Sequence, residues 1–404
     1  MIVLFDLDDT LLENSMEKFL PAYFHLLGKS LSEYASPHKL PEIIFSGTEL
    51  MVNNLNPQKT LEECFNDYFY TKLGRQKNSL IEKITHFYKN EFPALKPITN
   101  EIQYAAETIN ALLQSGHKII IATNPLFPKL AIDHRVNWAN LGVPLSAFTY
   151  ITNYEELHFT KPHPEFILEI LGKIGWPDEQ IVMIGNEWDM DIVPAEQLGI
   201  PTFFIGSTPK EHENNLNPLS SSGLMKDVVD WVNQINGSEP YEMSKSDIAI
   251  KASLRATAAN IDSYKRNNMV LKHFSTRPKP NEWSLIEIIS HLADVDAEVN
   301  IPRLELIRNQ ENPFIEAALT DQWAEERNYI QRDPHETISS FMENRRKLLS
   351  VLSEFDNGLW NKSINHAIFG PTKVSELMKF TTQHDRIHIS QIYNTLETIK
   401  NNGK

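Results

Sequence analysis

The sequence has 404 residues, 41% of them hydrophobic, which is enough apolar material for two or three compact domains and excludes a largely disordered chain. Its 53 acidic residues outnumber its 38 basic ones, and the net charge of −15 disfavours nucleic acid and anionic membrane surfaces as partners. The single cysteine, Cys64, excludes an intrachain disulfide. The apolar start of the chain ends at Asp6, and no later apolar run is long enough to span a membrane, so we expect a cytoplasmic protein without a secretory signal.

Short apolar runs alternate with helical patterns in the first 236 residues and predict strands of a parallel sheet buried on both faces. The runs are residues 2–5, 118–122, 181–184 and 201–205. A helix between Thr99, which caps its start, and Gly116, which ends it, is expected before the second run. Residues 14–97 show helical patterns without a clear strand. We therefore predict a Rossmann-like α/β domain with a core of residues 1–13 and 98–236 and an inserted helical cap.

Two aspartates and a threonine, Asp6, Asp8 and Thr10, directly follow the first predicted strand. In open α/β sheets, ligands bind at the carboxyl ends of the strands. Two neighbouring carboxylates repel each other unless one is protonated or a cation lies between them, and Mg²⁺ with oxygen ligands would also bridge to a phosphate. Taken alone, the pattern is equally compatible with an ordinary polar turn.

Three later segments favour a phosphate site over a polar turn. Thr123 and Asn124 end the second run, where a hydroxyl and backbone N–H groups can hold phosphate oxygens. Lys161 stands just before a predicted helix, and its compact ammonium suits phosphate charge. The run at 181–184 ends in an acidic loop that includes Asn186 and Asp191 and can complete the coordination of a cation.

In this order, the four segments resemble the four motifs of the haloacid dehalogenase-like superfamily, over residues 1–236. The resemblance implies that Asp6 is the nucleophile that forms an aspartyl-phosphate and that Asp8 is the general acid and base. It also implies that Thr123 and Lys161 hold the phosphoryl group. We expect Thr10 and Asn124 to bind the substrate.

The resemblance implies Mg²⁺ bound by Asp6, by the backbone carbonyl of Asp8 and by an acid of the fourth motif, for which Asp191 is favoured over Asp189. Asn186 departs from the family pattern, which usually has an aspartate there; its carbonyl oxygen can coordinate but adds no charge. Because an alkoxide leaving group needs a proton, the presence of Asp8 favours phosphatase over dehalogenase chemistry, with a small phosphorylated metabolite as substrate. In such enzymes the cap excludes water and selects the substrate.

After a linker at 237–245, the strand patterns disappear and an all-α four-helix bundle is predicted for residues 246–404. Its long helical patterns are residues 246–265, 284–308, 334–355 and 373–400. His384 and His388 stand four residues apart and share one helix face, while His291 lies on the apolar side of an earlier helix. Three inward imidazoles can hold a divalent transition metal, Zn²⁺ or Ni²⁺, although ordinary helical histidines explain the pattern equally well.

The segment 283–294, Arg345 and the run from Gly370 to His388 resemble the DinB-like metal-binding bundle superfamily, over residues 246–398. The resemblance implies that His291, His384 and His388 bind a divalent metal. Some members of that superfamily use a low-molecular-weight thiol, whose pKa a metal would lower.

The favoured hypothesis is a Mg²⁺-dependent phosphatase fused to a metal-binding bundle. One alternative places the main activity in the bundle, as a metal- and thiol-dependent transferase. The other is a phospho-ligand binding protein without catalysis, which the departure at Asn186 would allow.

Overall fold

The computed structural model describes residues 1–209, 216–238 and 242–402, without the side chains of the last two residues. The chain forms two compact units, Met1–Ile167 with Asp178–Met243 and Leu168–Pro177 with Ser244–Lys404. Part of the predicted linker, residues 239–241, lies outside the described residues. Among the described helices, none has both the length and the apolar character that crossing a membrane requires.

A six-stranded parallel sheet forms the centre of the first unit, and a separate two-stranded ribbon accompanies it. The strands are β1 (Ile2–Phe5), β2 (Leu12–Glu13), β3 (Asn100–Glu101), β4 (Lys118–Ile121), β5 (Tyr150–Ile151), β6 (Ile181–Gly185), β7 (Thr202–Ile205) and β8 (Ser221–Gly223). The sheet order is β5-β4-β1-β6-β7-β8, so the direction of strand addition reverses at β1. Such a reversal leaves a crevice beyond the carboxyl ends of the strands.

The four predicted apolar runs correspond to β1, β4, β6 and β7, whereas sequence reasoning missed the edge strands β5 and β8. These two strands are only two and three residues long and partly exposed, so they produce no continuous apolar run. The strand register aligns the carboxyl ends of β1, β4 and β6, because Phe5 pairs with both Ile121 and Ile184. The residues that follow these three positions therefore meet at one edge of the sheet.

Residues 14–97 contain four α-helices and, within this fully described stretch, no strand. The helices of the first part of the chain are α1 (Met16–Ser30), α2 (Leu40–Val52), α3 (Leu61–Leu73), α4 (Lys77–His86), α5 (Ala105–Gln114), α6 (Lys129–Trp138), α7 (Pro164–Lys173), α8 (Val193–Leu198) and α9 (Val228–Ile235). The antiparallel pair β2–β3 joins the chain just before this insertion to the chain just after it. The predicted cap at Thr99 is wrong: this residue ends a 3₁₀ segment, and Tyr104 is the N-cap of α5.

The second unit is mainly helical, as predicted. Its helices are α10 (Asp247–Ser263), α11 (Asn268–Lys272), α12 (Leu285–Val295), α13 (Ile301–Asn309), α14 (Trp323–Glu326), α15 (Pro334–Ser353), α16 (Asn357–Trp360) and α17 (Val374–Asn402). Of the four predicted long helices, the first, third and fourth correspond to α10, α15 and α17. The second corresponds to α12, which continues through a π-helical turn into α13. The four pack against one another.

The expectation that strands disappear after residue 245 is wrong. A small sheet of order β11-β10-β9 is formed by β9 (Phe314–Ile315), β10 (Ser363–His366) and β11 (Gly370–Lys373). These strands are short, and burial alternates along β10 because only one face is covered. The continuous apolar runs that mark the strands of the first unit are therefore missing here.

Candidate active site and candidate metal centre

Asp6 is the first residue after β1 and is buried at the carboxyl edge of the sheet. Its Oδ1 accepts a hydrogen bond from Nζ of Lys161 at 2.6 Å. The same ammonium group donates to Oδ1 of Asp191, also at 2.6 Å. Three of the residues predicted from separate segments therefore meet around one buried positive charge.

Burial and charge set the ionisation of this cluster. Desolvation raises the pKa of Asp6 more than Lys161 lowers it, and Asp191 raises it further. For Lys161, burial by itself would lower the pKa, but attraction to Asp191 and Asp6 outweighs it and the pKa is raised. The ammonium group therefore stays charged at neutral pH and balances one of the two carboxylates.

Asp191 reaches Lys161 because β6 ends on a glycine. A Cβ atom at Gly185 would lie 2.1 Å from Oδ2 of Asp191, so any side chain there would displace this carboxylate. The same Oδ2 accepts a hydrogen bond from the backbone N–H of Glu187 at 3.0 Å. The neighbouring Asp189 is exposed, so Asp191 is the acid of this loop that joins the cluster.

Asp8 occupies a different environment from Asp6. It is partly exposed and forms an ion pair with the buried Arg135, and its Oδ1 accepts a hydrogen bond from Nδ2 of Asn14 at 2.8 Å. The guanidinium of Arg135 lies 5.4 Å from the ring centroid of Phe127 and 5.9 Å from that of Phe19. Sequence reasoning missed Arg135 and Asn14, because neither belongs to a motif and Arg135 is far from Asp8 in the chain.

The other predicted residues lie in the loops at the same sheet edge. Thr10 is buried, and its hydroxyl donates to Oδ1 of Asn186 at 2.8 Å. Oδ1 of Asn124 accepts a hydrogen bond from the backbone N–H of Lys161 at 3.3 Å. Thr123, the residue just before Asn124, is also buried. Thr10 therefore fixes the amide of Asn186, and Asn124 fixes the backbone that carries Lys161.

The donors at this edge are chemically suited to a hard cation, because carboxylate and amide oxygens are the ligands that Mg²⁺ prefers. In the described part of the chain, however, the group of potential metal ligands whose ligand atoms all lie within 4.8 Å of one another is in the second unit. It consists of His291, His384 and His388. Asp6 and Asp191 are instead bridged by Lys161, while Asp8 pairs with Arg135.

The three histidines bring their Nε2 atoms together. Nε2 of His384 lies 3.1 Å from Nε2 of His291 and 3.2 Å from Nε2 of His388. Nδ1 of His388 is 2.9 Å from Oε1 of Gln391, an oxygen that can only accept a hydrogen bond. Nδ1 of His388 therefore carries the proton, and its Nε2 presents a lone pair to the other two rings.

Burial keeps these imidazoles neutral. Desolvation lowers the pKa of His291 to about 3 and that of His388 to about 4, and it also lowers the pKa of His384. Neutral imidazole is the form that binds transition metals. Three neutral rings with converging nitrogens therefore suit the binding of a cation such as zinc.

Asp385, between the two histidines of α17, does not join this group. It pairs with Arg345, whose Nη1 lies 2.5 Å from Oδ2 of Asp385 and whose Nε lies 2.7 Å from Oδ2 of Asp296. All three side chains are buried. This network ties α15 and α17 to the π-helical turn after α12 and so holds the histidine-bearing helices in register.

Comparison with known families covers both units. The model of the haloacid dehalogenase-like hydrolases matches residues 3–205, which is half of the chain. The model of the DinB superfamily matches residues 271–392.

Two curated relatives resemble the first part of the chain. The glyceraldehyde 3-phosphate phosphatase of Methanothermobacter thermautotrophicus is 25% identical over 235 residues, which cover 58% of this chain and 96% of the relative. The pyrophosphatase PpaX of Bacillus mycoides is 24% identical over 242 residues, with coverage of 58% and 98%.

Solved structures resemble each part. A HAD phosphatase from Thermococcus onnurineus has a TM-score of 0.36 and 18% identity, covering 59% of this chain and 99% of that one. YfiT from Bacillus subtilis, a probable metal-dependent hydrolase with an unusual four-helix bundle topology, has a TM-score of 0.35 and 17% identity, covering 41% and 95%.

Proposed function

This chain belongs to the haloacid dehalogenase-like hydrolase family, and we propose that its first unit hydrolyses a small phosphomonoester through a phosphorylated Asp6. The observation that carries the proposal is the meeting of Asp6, Lys161 and Asp191 at the sheet edge where ligands bind. The phosphatase and pyrophosphatase activities in the names of the two curated relatives support phosphate chemistry.

In the proposed first step, a carboxylate oxygen of Asp6 attacks phosphorus. The new bond from Asp6 to phosphorus forms as the bond from phosphorus to the ester oxygen breaks. Lys161 stays charged beside Asp6, so it can offset the negative charge on the phosphoryl oxygens during the transfer. Thr123, in the adjacent loop, is assigned to hold the same phosphoryl group, and we assign substrate contacts to Thr10 and Asn124.

Asp8 serves as the general acid and then as the general base. It gives a proton to the leaving alkoxide and later takes one from the water that attacks the aspartyl-phosphate, which releases phosphate and restores Asp6. Its partial exposure suits proton exchange with solvent. Arg135 and Asn14 hold its carboxylate in place.

Mg²⁺ is the proposed cofactor of this unit. Asp6, Asp191, the backbone carbonyl of Asp8 and the amide oxygen of Asn186 would hold it, and it would supply positive charge next to the phosphate. Because Asn186 replaces a carboxylate, the donor set carries one negative charge fewer than the family pattern. We therefore expect Mg²⁺ to bind more weakly than at a site with an aspartate at this position.

Phosphate release from a panel of phosphomonoesters, with and without Mg²⁺, tests the proposal. Wild-type protein should release phosphate only with Mg²⁺, and Asp6→Asn should release none above background. Asp189→Asn, an exposed acid of the fourth-motif loop, is the matched control and should keep wild-type turnover. Wild-type turnover in Asp6→Asn would show that Asp6 is not the nucleophile. Tight binding of phosphoesters without turnover in the wild type would favour a non-catalytic binding protein.

A separate observation, the convergence of three Nε2 atoms, favours a second function for the bundle. We propose that His291, His384 and His388 hold a divalent transition metal, Zn²⁺ or Ni²⁺. Elemental analysis of purified protein should find about one metal ion per chain and none in the double variant His384→Ala, His388→Ala. His335→Ala, an exposed histidine on α15, should leave the metal content unchanged. A thiol-dependent transfer reaction at this centre remains a prediction from the family resemblance.

A further inference from the structure

The helical insertion of the first unit encloses a cavity of about 250 Å³ that the proposed chemistry does not use. Side chains from α1 to α4 and from the loop after β4 line it. The lining is rich in aromatic rings, among them Tyr23, Phe24, Phe45, Phe65, Phe69 and Phe127. Among the described residues that line this cavity, none has a side chain that is charged at neutral pH.

The few polar groups of the lining are neutral and partly paired with one another. The hydroxyl groups of Tyr23 and Tyr88 are 2.8 Å apart and share a hydrogen bond. Burial raises the pKa of Tyr23 to about 12 and raises that of Tyr88 as well, so both phenols stay protonated. A charged group placed here would lose its water without gaining a countercharge.

The cavity borders the proposed active site through the loop after β4. Leu126, Phe127 and Pro128 line the cavity and follow Thr123 and Asn124 in this loop. Phe127 also faces the guanidinium of Arg135, which is paired with Asp8. One wall of the cavity therefore lies beside Arg135, which pairs with Asp8, the residue that would protonate the leaving group.

We propose that the substrate is a phosphomonoester of an apolar alcohol, whose aromatic or branched hydrocarbon part fills this cavity during hydrolysis. The proposal rests on the phosphatase function proposed above and names its substrate class. A cavity of about 150 Å³ is enough for a benzene ring, so this one accepts a substituted ring or a branched chain of similar size. The substrates in the names of the two curated relatives, glyceraldehyde 3-phosphate and pyrophosphate, have no such group.

Two alkyl phosphates with leaving groups of comparable basicity test the proposal: 2-phenylethyl phosphate and glycerol 3-phosphate. With the full chain and Mg²⁺, kcat/KM for 2-phenylethyl phosphate should be higher by about tenfold or more, since apolar pockets discriminate on this scale. Thr48→Phe places a ring inside the cavity and should remove most of this preference. Thr71→Phe places the same ring on an exposed position of α3 and should keep it.

Calorimetry with the inactive Asp6→Asn chain gives a second readout that does not need turnover. Binding of 2-phenylethyl phosphate should show a negative heat-capacity change, the signature of apolar burial, and the double variant Asp6→Asn, Thr48→Phe should lose it. Circular dichroism of both Thr→Phe variants checks that each remains folded.

The outcomes separate the two proposals. Faster or equal hydrolysis of glycerol 3-phosphate, together with no effect of Thr48→Phe on the ratio, would overturn the apolar substrate class alone. Absence of Mg²⁺-dependent release from both esters and from the wider panel would overturn the phosphatase function and this inference with it.

Discussion

Nζ of Lys161 lies 2.6 Å from Oδ1 of Asp6, and both side chains are buried at the carboxyl edge of the sheet. The pair joins residues that are 155 positions apart. Since Lys161 also contacts Asp191, one ammonium group holds two carboxylates that would otherwise repel each other.

Lys161→Gln is expected to impair both stability and catalysis. Removing one partner of a buried ion pair costs about 3–5 kcal/mol, because the remaining charges stay buried without compensation. Loss of a group that stabilises developing charge lowers kcat by about 10²–10³. Thermal unfolding and phosphate release measure the two effects. If Mg²⁺ binds between Asp6 and Asp191, adding it should restore part of the lost Tm but not the lost kcat. Unchanged turnover would exclude Lys161 from the transfer step.

Gly185→Ala is expected to weaken Mg²⁺ dependence through Asp191. The new Cβ would lie 2.1 Å from Oδ2 of Asp191, so this side chain, which also contacts Lys161, must shift. We expect the Mg²⁺ concentration for half-maximal turnover to rise by about tenfold or more, as for loss of groups that orient metal ligands. Gly28→Ala is the control, because its Cβ would meet only the side chain and Cα of Pro37, at 3.3 Å and beyond. An identical Mg²⁺ titration for wild type and Gly185→Ala would contradict the assignment of Asp191.

Arg135→Met tests whether this buried arginine acts through Asp8. The variant removes the ion pair with Asp8 while keeping an apolar side chain between Phe19 and Phe127. We expect kcat to fall by about tenfold or more with little change in KM, since Asp8 is the proposed general acid and misplacing such a group affects the transition state. In an Asp8→Asn background, the same change should cost little further activity, because groups that act as a unit are not additive. Fully additive losses would show that Arg135 acts independently of Asp8, and Arg135→Lys should recover part of the activity.

Asp294→Asn is expected to destabilise the second unit at neutral pH but not in acid. Burial raises the pKa of Asp294, but hydrogen bonds from Arg332, Tyr329 and Arg327 outweigh it, and the pKa is lowered. Stability from a lowered carboxyl pKa is present above the unfolded value of about 3.9 and is lost as pH falls through the folded value. Calorimetry should therefore show a difference of about 2 kcal/mol at pH 7 that narrows below about pH 4. Glu282→Gln, at a partly exposed position, is the control, and a constant difference across this range would contradict the argument.

Local patterns were sufficient to locate most residues of the candidate active site. The runs that became β1, β4, β6 and β7 stand out because strands covered by helices on both faces are apolar at nearly every position. The polar residues after β1, β4 and β6 could be assigned to one edge because parallel strands end on the same side. The histidines of α12 and α17 were likewise visible from helical spacing on apolar faces.

Features without a local sequence pattern could not be predicted from the sequence. The strand β9 is only two residues long, and β10 and β11 are short and largely polar, so none of the three stands out from turns. Arg135 lies on a helix without a motif, and Gly185 looks like any glycine at the end of a strand. Arg135 matters because it pairs with Asp8, and Gly185 matters because it leaves space for the side chain of Asp191.

Chain order and residue type alone determined the α/β class of the first unit, the helical class of the second and the candidate nucleophile Asp6. The two structural classes follow from periodicities within about ten neighbouring residues. The choice of Asp6 follows from its end-of-strand position together with the resemblance of the four motifs to the haloacid dehalogenase-like superfamily. Only the tertiary structure decided that Asp191 rather than Asp189 joins Lys161, that Arg135 pairs with Asp8, and that the inserted helices enclose an uncharged aromatic cavity. Each of these depends on side chains that are distant in the chain and meet only when the helices and the sheet are packed together.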